Sequence, residues 1–465
     1  MDSNQDGIAA VILAAGQGKR FKSSTPKVLH RAAGLPLIHH VLASVGEVPG
    51  VARLIVVVGS GREAVKEAVR VKRPDAIFVE QAELLGTGDA VRRCRQVLAG
   101  FRGIVMVLPG DGPLIRGETL AQLAAQHASS RADATLLTAH LENPSGYGRI
   151  KRNADGGFAG IVEETDASIE ERAIKEVSSG IWCFQPDTLF PALDQIDNNN
   201  AQGEFYLPDV AAVLARQGRH VHTLGAPDPG EIEGVNDRAQ LAEATRRLRA
   251  RKIEQVIAAG VTVEDPNTTY IDEAVVIGAE TVVRPFSFIE GSTEIGGHCL
   301  IGPSCRVVDS VVEDGAEITY SVVSGSHVGP GAAVGPFASL RPGTRLGPSS
   351  KAGTFVELKG SIIGEGSKVP HLSYVGDAEV GKGVNLGAGT ITANYDSESK
   401  VKSKTTVGDG AFTGADTTLV APVRVGDHAG TGAGSVVTKD VGDDEIVVGV
   451  PARPLRKRKP RPKAE

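Results

Sequence analysis

Residues 277–307 read IGAETVVRPFSFIEGSTEIGGHCLIGPSCRV, and within them Ile277, Val283, Ile289, Ile295, Ile301 and Val307 fall six residues apart. Glycine follows the aliphatic residue at 278, 296 and 302. A helix returns to one face about every 3.6 residues and a strand about every two, so neither produces this step. A hexapeptide coil does. Each repeat supplies a tight turn and a short strand with one small aliphatic side chain inward, and three repeats close one turn of a triangular prism. The step resumes in a shifted phase at Val322, Val328, Val334, Leu340 and Leu346, then at Ile363, Val369 and Val375, and from Leu419 to Val425. So thin a prism has little room for rings. That accounts for only 4% aromatic residues beside 57 glycines, more than half of them beyond residue 250.

The repeat is interrupted at 393–404 (ANYDSESKVKSK), a polar stretch without inward aliphatics. An insertion in a regular solenoid reads as a functional loop on one face. The pattern resembles the left-handed parallel β-helix of hexapeptide-repeat acyltransferases, an exception to right-handed crossover.

Upstream the periodicity is different. Ile8–Ala14, Leu54–Val58 and Ile104–Leu108 read as buried strands, alternating with amphipathic helices at Leu37–Val45, Arg62–Val71, Asp89–Leu98 and Glu118–Ala128. That alternation predicts a Rossmann-like α/β sheet, mostly parallel, with ligands at the carboxyl ends of its strands. The chain is thus expected to comprise an α/β domain over 1–237, a linking helix over 238–259, a β-helix over 260–450 and a basic tail over 451–465. The tail carries seven basic residues and is expected to be disordered. The arginines of the linking helix have acidic neighbours and read as a solvated face.

The remaining composition of the 465-residue chain excludes several classes. With 41% apolar and 23% charged residues it is globular. A net charge of −6 gives no global basic field for nucleic acid, and no apolar run approaches a membrane span. Met1–Asp6 is polar and does not read as a signal peptide. Cys94, Cys183, Cys299 and Cys305 show no CxxC pairing, which suits reduced thiols in the cytosol better than disulfides or zinc.

The first strand runs into Leu13-Ala14-Ala15-Gly16-Gln17-Gly18-Lys19-Arg20, followed by Pro26-Lys27-Val28-Leu29. Small residues allow close backbone approach, exposed N–H groups suit phosphate, and Arg20 and Lys27 add positive charge. On these residues alone an anion site and a plain glycine-rich turn fit about equally. An aspartate at a strand end, Asp111, reads on its own more readily as a cap of the next helix. Two further segments, Gln81…Leu85-Gly86-Thr87-Gly88 and Pro109-Gly110-Asp111, complete a pattern that resembles the sugar-1-phosphate nucleotidyltransferases. With the hexapeptide half behind it, the chain from Ile8 to Pro451 resembles the bacterial N-acetylglucosamine-1-phosphate uridyltransferase / glucosamine-1-phosphate acetyltransferase family. Gly146-Tyr147-Gly148-Arg149-Ile150, Ile161-Val162-Glu163, Asn198–Glu204 and Glu233-Gly234-Val235-Asn236 match as well.

The resemblance implies roles. Leu13, Ala14, Ala15 and Gly16 would line uridine and phosphates, with Gln81, Gly86 and Thr87 on the base. Arg20 and Lys27 would hold the triphosphate and stabilise developing charge. Asp111, beside Gly110, and Asn236 would bind Mg²⁺, while Gly148, Glu163 and Ser178 would face the sugar. Mg²⁺ prefers hard oxygen ligands, and a sugar phosphate is already an anionic nucleophile needing no protein base. Departures are Lys19 for a small hydroxyl residue, Pro109 for an aromatic and Ser178 for an asparagine.

In the second half, Lys368–Asp377 (KVPHLSYVGD) carries the chemistry. Acetylating an amino sugar requires loss of an ammonium proton, which an imidazole can accept near neutral pH. A lone histidine in a repeat is more often an ordinary surface residue; the family's His-Leu-[Ser/Thr]-Tyr segment points to His371 as the base. No Cys or Ser nucleophile pattern is present, which favours direct attack by the amine. The resemblance further places Arg341 and Lys359 on the sugar phosphate, Tyr374 and Asn385 on the sugar, and Ala388, Asn394, Tyr395, Ala415 and Ala433 along acetyl-CoA. Ala415 stands where relatives often have serine. A C-terminal arginine of the family aligns with Gly449, with Arg453 or Arg456 as substitutes. The implied activity is two-step synthesis of UDP-N-acetylglucosamine from acetyl-CoA, UTP and glucosamine-1-phosphate for cell-wall precursors, by a cytoplasmic homotrimer. Neither membrane nor nucleic-acid binding is expected.

Overall fold

A mixed sheet orders the first half of the chain. Edge to edge its strands are Val221–Gly225, Ala134–His140, Glu176–Phe184, Ile104–Pro109, Ile8–Ala14, Val51–Val58 and Ile77–Glu80. Neighbours pair in parallel except Glu176–Phe184, which is antiparallel to both of its partners. The Arg149–Arg152/Phe158–Val162 pair joins this strand at Val177. Ile8–Ala14 is central, and successive residues enter different clusters: Ala10 and Ile12 on one face, Ala9 and Val11 on the other. Burial on both faces is why this strand reads as a continuous apolar run. The computed structural model describes residues 7–457. The chain folds as two compact units, and the boundary falls between Leu248 and Arg249, inside the helix Arg238–Ala258. The helix expected over Asp89–Leu98 begins earlier, at Thr87, and gives way to a 3₁₀ turn at Arg93–Arg95.

The second unit is a three-sided parallel β-helix, consistent with the left-handed coil expected of hexapeptide repeats. Three sheets of short strands each carry one inward ladder. One runs Val283, Ile301, Ile318, Val334, Ala352 and Val369; another runs Ile271, Ile289, Val307, Val323, Leu340, Leu358 and Val375. All of these side chains are buried. The shifted phase has a simple cause. Val307 to Val312, Ile318 to Val323 and Val323 to Val328 are five-residue steps, so three sides of the prism lack one turn residue. Val322, inward by the six-residue step, is 43% exposed, and Val323 takes the core position.

The insertion lies between paired strands of the third sheet, Ala378–Val380 and Thr405–Val407, with a Tyr395–Lys402 bridge across its base. The tail corrects one expectation. Arg453–Lys457 form a strand antiparallel to Glu445–Val448, covering an open sheet edge where composition predicts disorder. Residues 458–465 of that tail lie outside the described residues. No helix among the described residues is long and apolar enough to cross a membrane.

Candidate functional sites

The first site forms at the carboxyl ends of Ile8–Ala14 and Ile104–Pro109. Gly110 N–H donates to the Leu13 carbonyl (2.9 Å), holding the Ala14–Gly16 turn beside Asp111. Lys27 stands on a 3₁₀ turn. Its ammonium is ion-paired with Asp111 and donates to Asn236 Oδ1 at 2.9 Å. Val235 N–H donates to the Asp111 carbonyl (2.9 Å), which seats the 233–236 loop against the strand end. Three residues far apart in sequence therefore share one position around a cation. Asp111 and Asn236 offer hard oxygens to a charge, the donor chemistry of a divalent ion. Among the described residues no cluster of three His, Cys, Asp or Glu side chains forms a closed metal cage. A divalent ion there would need substrate oxygens to complete its shell. Arg20 is exposed nearby in sequence, on its own 3₁₀ turn.

The Gly86 region is assembled by close packing. Leu85 O accepts from Phe205 N–H and Gly88 N–H donates to Phe205 O, both at 2.8 Å. A Cβ on Gly86, whose φ is +100°, would lie 2.5 Å from the Phe205 carbonyl oxygen. Thr87 Oγ1 accepts from Leu207 N–H (3.0 Å), so its hydroxyl is engaged in holding this segment. Gln81 is buried and donates to Gly86 O (3.0 Å) and Asp89 Oδ2 (2.9 Å), which sets its side-chain amide.

On the far side, Ser178 N–H donates to Gly148 O (2.9 Å), and Glu163 Oε1 lies 3.1 Å from where a Cβ of Gly148 would sit. Gly148, Glu163 and Ser178 thus converge, and Ser178 is itself buried. Burial pushes the Glu163 carboxyl up, with Asp209 and Asp166 adding to it. Sequence reasoning misses Tyr206, whose hydroxyl is pushed up first by burial and then by Asp166, Glu163 and Glu204. Its place two residues beyond Glu204, just after the Asn198–Glu204 motif, is the available signal.

In the second unit the rungs of the β-helix bring the expected residues together. Arg341 is in register with Lys359, and Lys359 with Gly376. Arg341 also donates to Glu357 Oε1 at 3.0 Å. His371 ends the strand Lys368–His371 and is exposed; Gly389 N–H, next to Ala388, donates to its carbonyl at 3.3 Å. Asn385 bridges Lys368 in the same face. Tyr374 and Asn394 converge over Gly376, where a Cβ would collide with Tyr374 Oη and lie 2.9 Å from Asn394 Nδ2. Tyr395 is exposed on the insertion. Ala388, Ala415 and Ala433 form a column on successive coils: Asp416 N–H donates to Ala388 O (2.6 Å) and Gly434 N–H to Ala415 O (2.8 Å). Gly449 has φ +96°, while Arg453 and Arg456 are exposed on the terminal strand. All four cysteines are buried and unpaired, and burial lifts the Cys94 thiol to about 12.

Comparisons with known proteins match both units. Residues 10–205 fit the model of the MobA-like NTP transferase domain. The bifunctional protein GlmU of Carboxydothermus hydrogenoformans is 47% identical over 439 residues, 94% of this chain and 96% of its own. Those of Heliobacterium modesticaldum and Thermobifida fusca are 50% and 48% identical, covering 93% and 95% of this chain and 93% and 91% of theirs. The chain belongs to the bifunctional GlmU family. The resemblance read from the motifs is to this family, and with it comes synthesis of UDP-N-acetylglucosamine by uridylyltransferase and acetyltransferase halves of one chain.

Proposed function

We infer that the β-helix acetylates glucosamine-1-phosphate and that the α/β unit then transfers UMP from UTP to the product, releasing pyrophosphate. The observation that carries the first step is the assembly of Arg341, Lys359, Tyr374, Asn394 and His371 on adjoining coils, with an alanine column beside them. Arg341 and Lys359 hold the sugar phosphate, and Tyr374 and Asn385 orient the sugar. His371 accepts the ammonium proton, freeing the amine to attack the thioester carbonyl; the amide bond forms as coenzyme A leaves as a thiol. Acetyl-CoA lies along Ala388, Ala415 and Ala433, with Asn394 and Tyr395 at the insertion. Buried, high-pKa cysteines make poor nucleophiles, which supports direct transfer.

For the second step, Asp111 and Asn236 hold Mg²⁺, which when bound supplies charge neutralisation at the phosphates. Arg20 and Lys27 grip the triphosphate, and Lys27 neutralises charge developing at the α-phosphorus. Leu13–Gly16, Gln81, Gly86 and Thr87 receive the nucleotide; Gly148, Glu163 and Ser178 receive the sugar. The protein acts as a cytoplasmic homotrimer. Supporting self-association, Tyr320, Phe337 and Phe355 form a row of rings along one corner of the β-helix, Tyr320 tilted against Phe337 (centroids 5.7 Å apart) and Phe337 stacked on Phe355 (5.4 Å), and all stay exposed.

The test is to supply glucosamine-1-phosphate and acetyl-CoA without UTP and follow acetylated sugar phosphate by mass spectrometry. Product formed by the wild type and abolished by His371→Ala, with uridylyl transfer intact, is the expected result. No product from protein that still uridylylates N-acetylglucosamine-1-phosphate would overturn the acetyl-transfer assignment.

A further inference from the structure

We propose that Asp377 is a positioning residue of the acetyl-transfer site, locking Asn394 and the base of the insertion to the rung that carries Lys359. The inference rests on the placement of Lys359 and Asn394 in that site under the reading above.

Asp377 follows Gly376 at a corner of the β-helix with φ +48°, in the left-handed region. Three bonds radiate from it. Its N–H donates to the Lys359 carbonyl at 2.9 Å. Its carbonyl accepts from Thr405 N–H at 3.3 Å, where the chain re-enters the helix after the insertion. Its carboxylate Oδ2 accepts from Asn394 Nδ2 at 2.5 Å, and Asn394 is 7% exposed. The other oxygen, Oδ1, packs toward Gly360, 3.3 Å from where a Cβ there would sit. One residue therefore ties together the phosphate-binding rung, the entry of the insertion and its exit.

The orientation of Asn394 follows from this. A carboxylate only accepts, so it selects the amide nitrogen of Asn394 and turns Oδ1 the other way. The face of Asn394 turned away from Asp377 therefore carries an acceptor rather than a donor. A charged acceptor also holds this amide more firmly than a neutral one. The Asn394 carbonyl accepts from Ser403 N–H at 2.9 Å, so fixing Asn394 also fixes the hairpin that bears Tyr395.

Two variants separate positioning from folding. Asp377→Gly removes the carboxylate without straining the left-handed backbone. Asp377→Asn keeps an acceptor for Asn394 Nδ2 and tolerates the same φ. Steady-state kinetics with acetyl-CoA varied, and calorimetric titration with acetyl-CoA, are the readouts. For Asp377→Gly, KM and the dissociation constant should both rise about tenfold, with kcat and uridylyl transfer close to wild type. Asp377→Asn should recover most of the loss. Wild-type values for Asp377→Gly would overturn the proposal, as would equal impairment in Asp377→Asn. Wild-type protein that binds no acetyl-CoA would overturn the acetyl-transfer reading and the proposal with it. Wild-type protein that binds and transfers, beside an unaffected Asp377→Gly, would sink only the proposal.

Discussion

Lys27 and Asp111 form an ion pair at the end of the central strand, and the same ammonium reaches Asn236. Neither side chain is fully exposed, so the pair is less screened than a surface bridge. A compact cation already sits between the two oxygens assigned to the metal. Asp111→Asn leaves Lys27 facing two amides and removes the only negative charge of that pair. Uridylyl transfer should fall by about a hundredfold or more while acetyl transfer stays unchanged. Separate assays of the two half-reactions check this, and equal loss in both would point to misfolding.

His127 sets an acid limit on the first unit. It is buried in the helix Gly117–Ser130, with Nδ1 2.9 Å from Thr135 Oγ1, and burial lowers its pKa from 6.5 to about 4. The fold therefore favours the neutral ring. As the pH falls from about 6.5 towards 4, the unfolded chain takes up a proton that the folded one refuses. Stability should decline across that window by on the order of 3 kcal/mol. His127→Gln should flatten the dependence of melting temperature on pH between 7 and 5, whatever its effect at neutral pH.

Ala415 lies exposed between Ala388 and Ala433 in the column assigned to acetyl-CoA. A serine there would add one hydroxyl at an exposed position of that column. Ala415→Ser should lower the KM for acetyl-CoA several-fold, the worth of about 1 kcal/mol, with kcat little changed. An unaltered KM would mean that this position does not touch the cofactor.

Phe337 is the middle ring of the exposed row at one corner of the β-helix. Phe337→Glu places a charge where self-association would bury an apolar edge, which is costly without a partner. Sedimentation velocity should show a shift from trimer to monomer at micromolar concentration, with the monomer still folded by circular dichroism. A monomeric wild type would remove the trimer from the account.

Much of this architecture is legible in the sequence because it depends on local period. The inward ladder Ile277–Val307 can be read directly, since a six-residue step forces one side chain inward on each face of the coil. Ile8–Ala14 is equally plain, because burial on both faces leaves no alternation to confuse. Val322 misleads for the same reason: once a coil loses a residue, the step no longer tells which of two adjacent valines turns inward. The strand at Arg453–Lys457 is hidden by its charge, because pairing with Glu445–Val448 depends on an open sheet edge that local composition does not record.

The sites divide in the same way. The resemblance carried by the motifs, rather than spacing by itself, singles out Lys27, Asp111, Asn236 and His371. Tyr206 lies outside any such pattern, and Asp377, although it closes the Lys368–Asp377 stretch, carries no role that spacing alone reveals. Sequence by itself determined the two fold types, the family and the residue types its chemistry requires, because periodicity and short motifs are properties of neighbouring residues. Only the tertiary structure decided that Lys27 bridges Asp111 and Asn236, that Phe205 closes on Gly86, and that Asp377 joins Lys359 to Asn394. Those contacts link positions up to 209 residues apart, and a hydrogen bond depends on separation in space, which the order of residues does not contain.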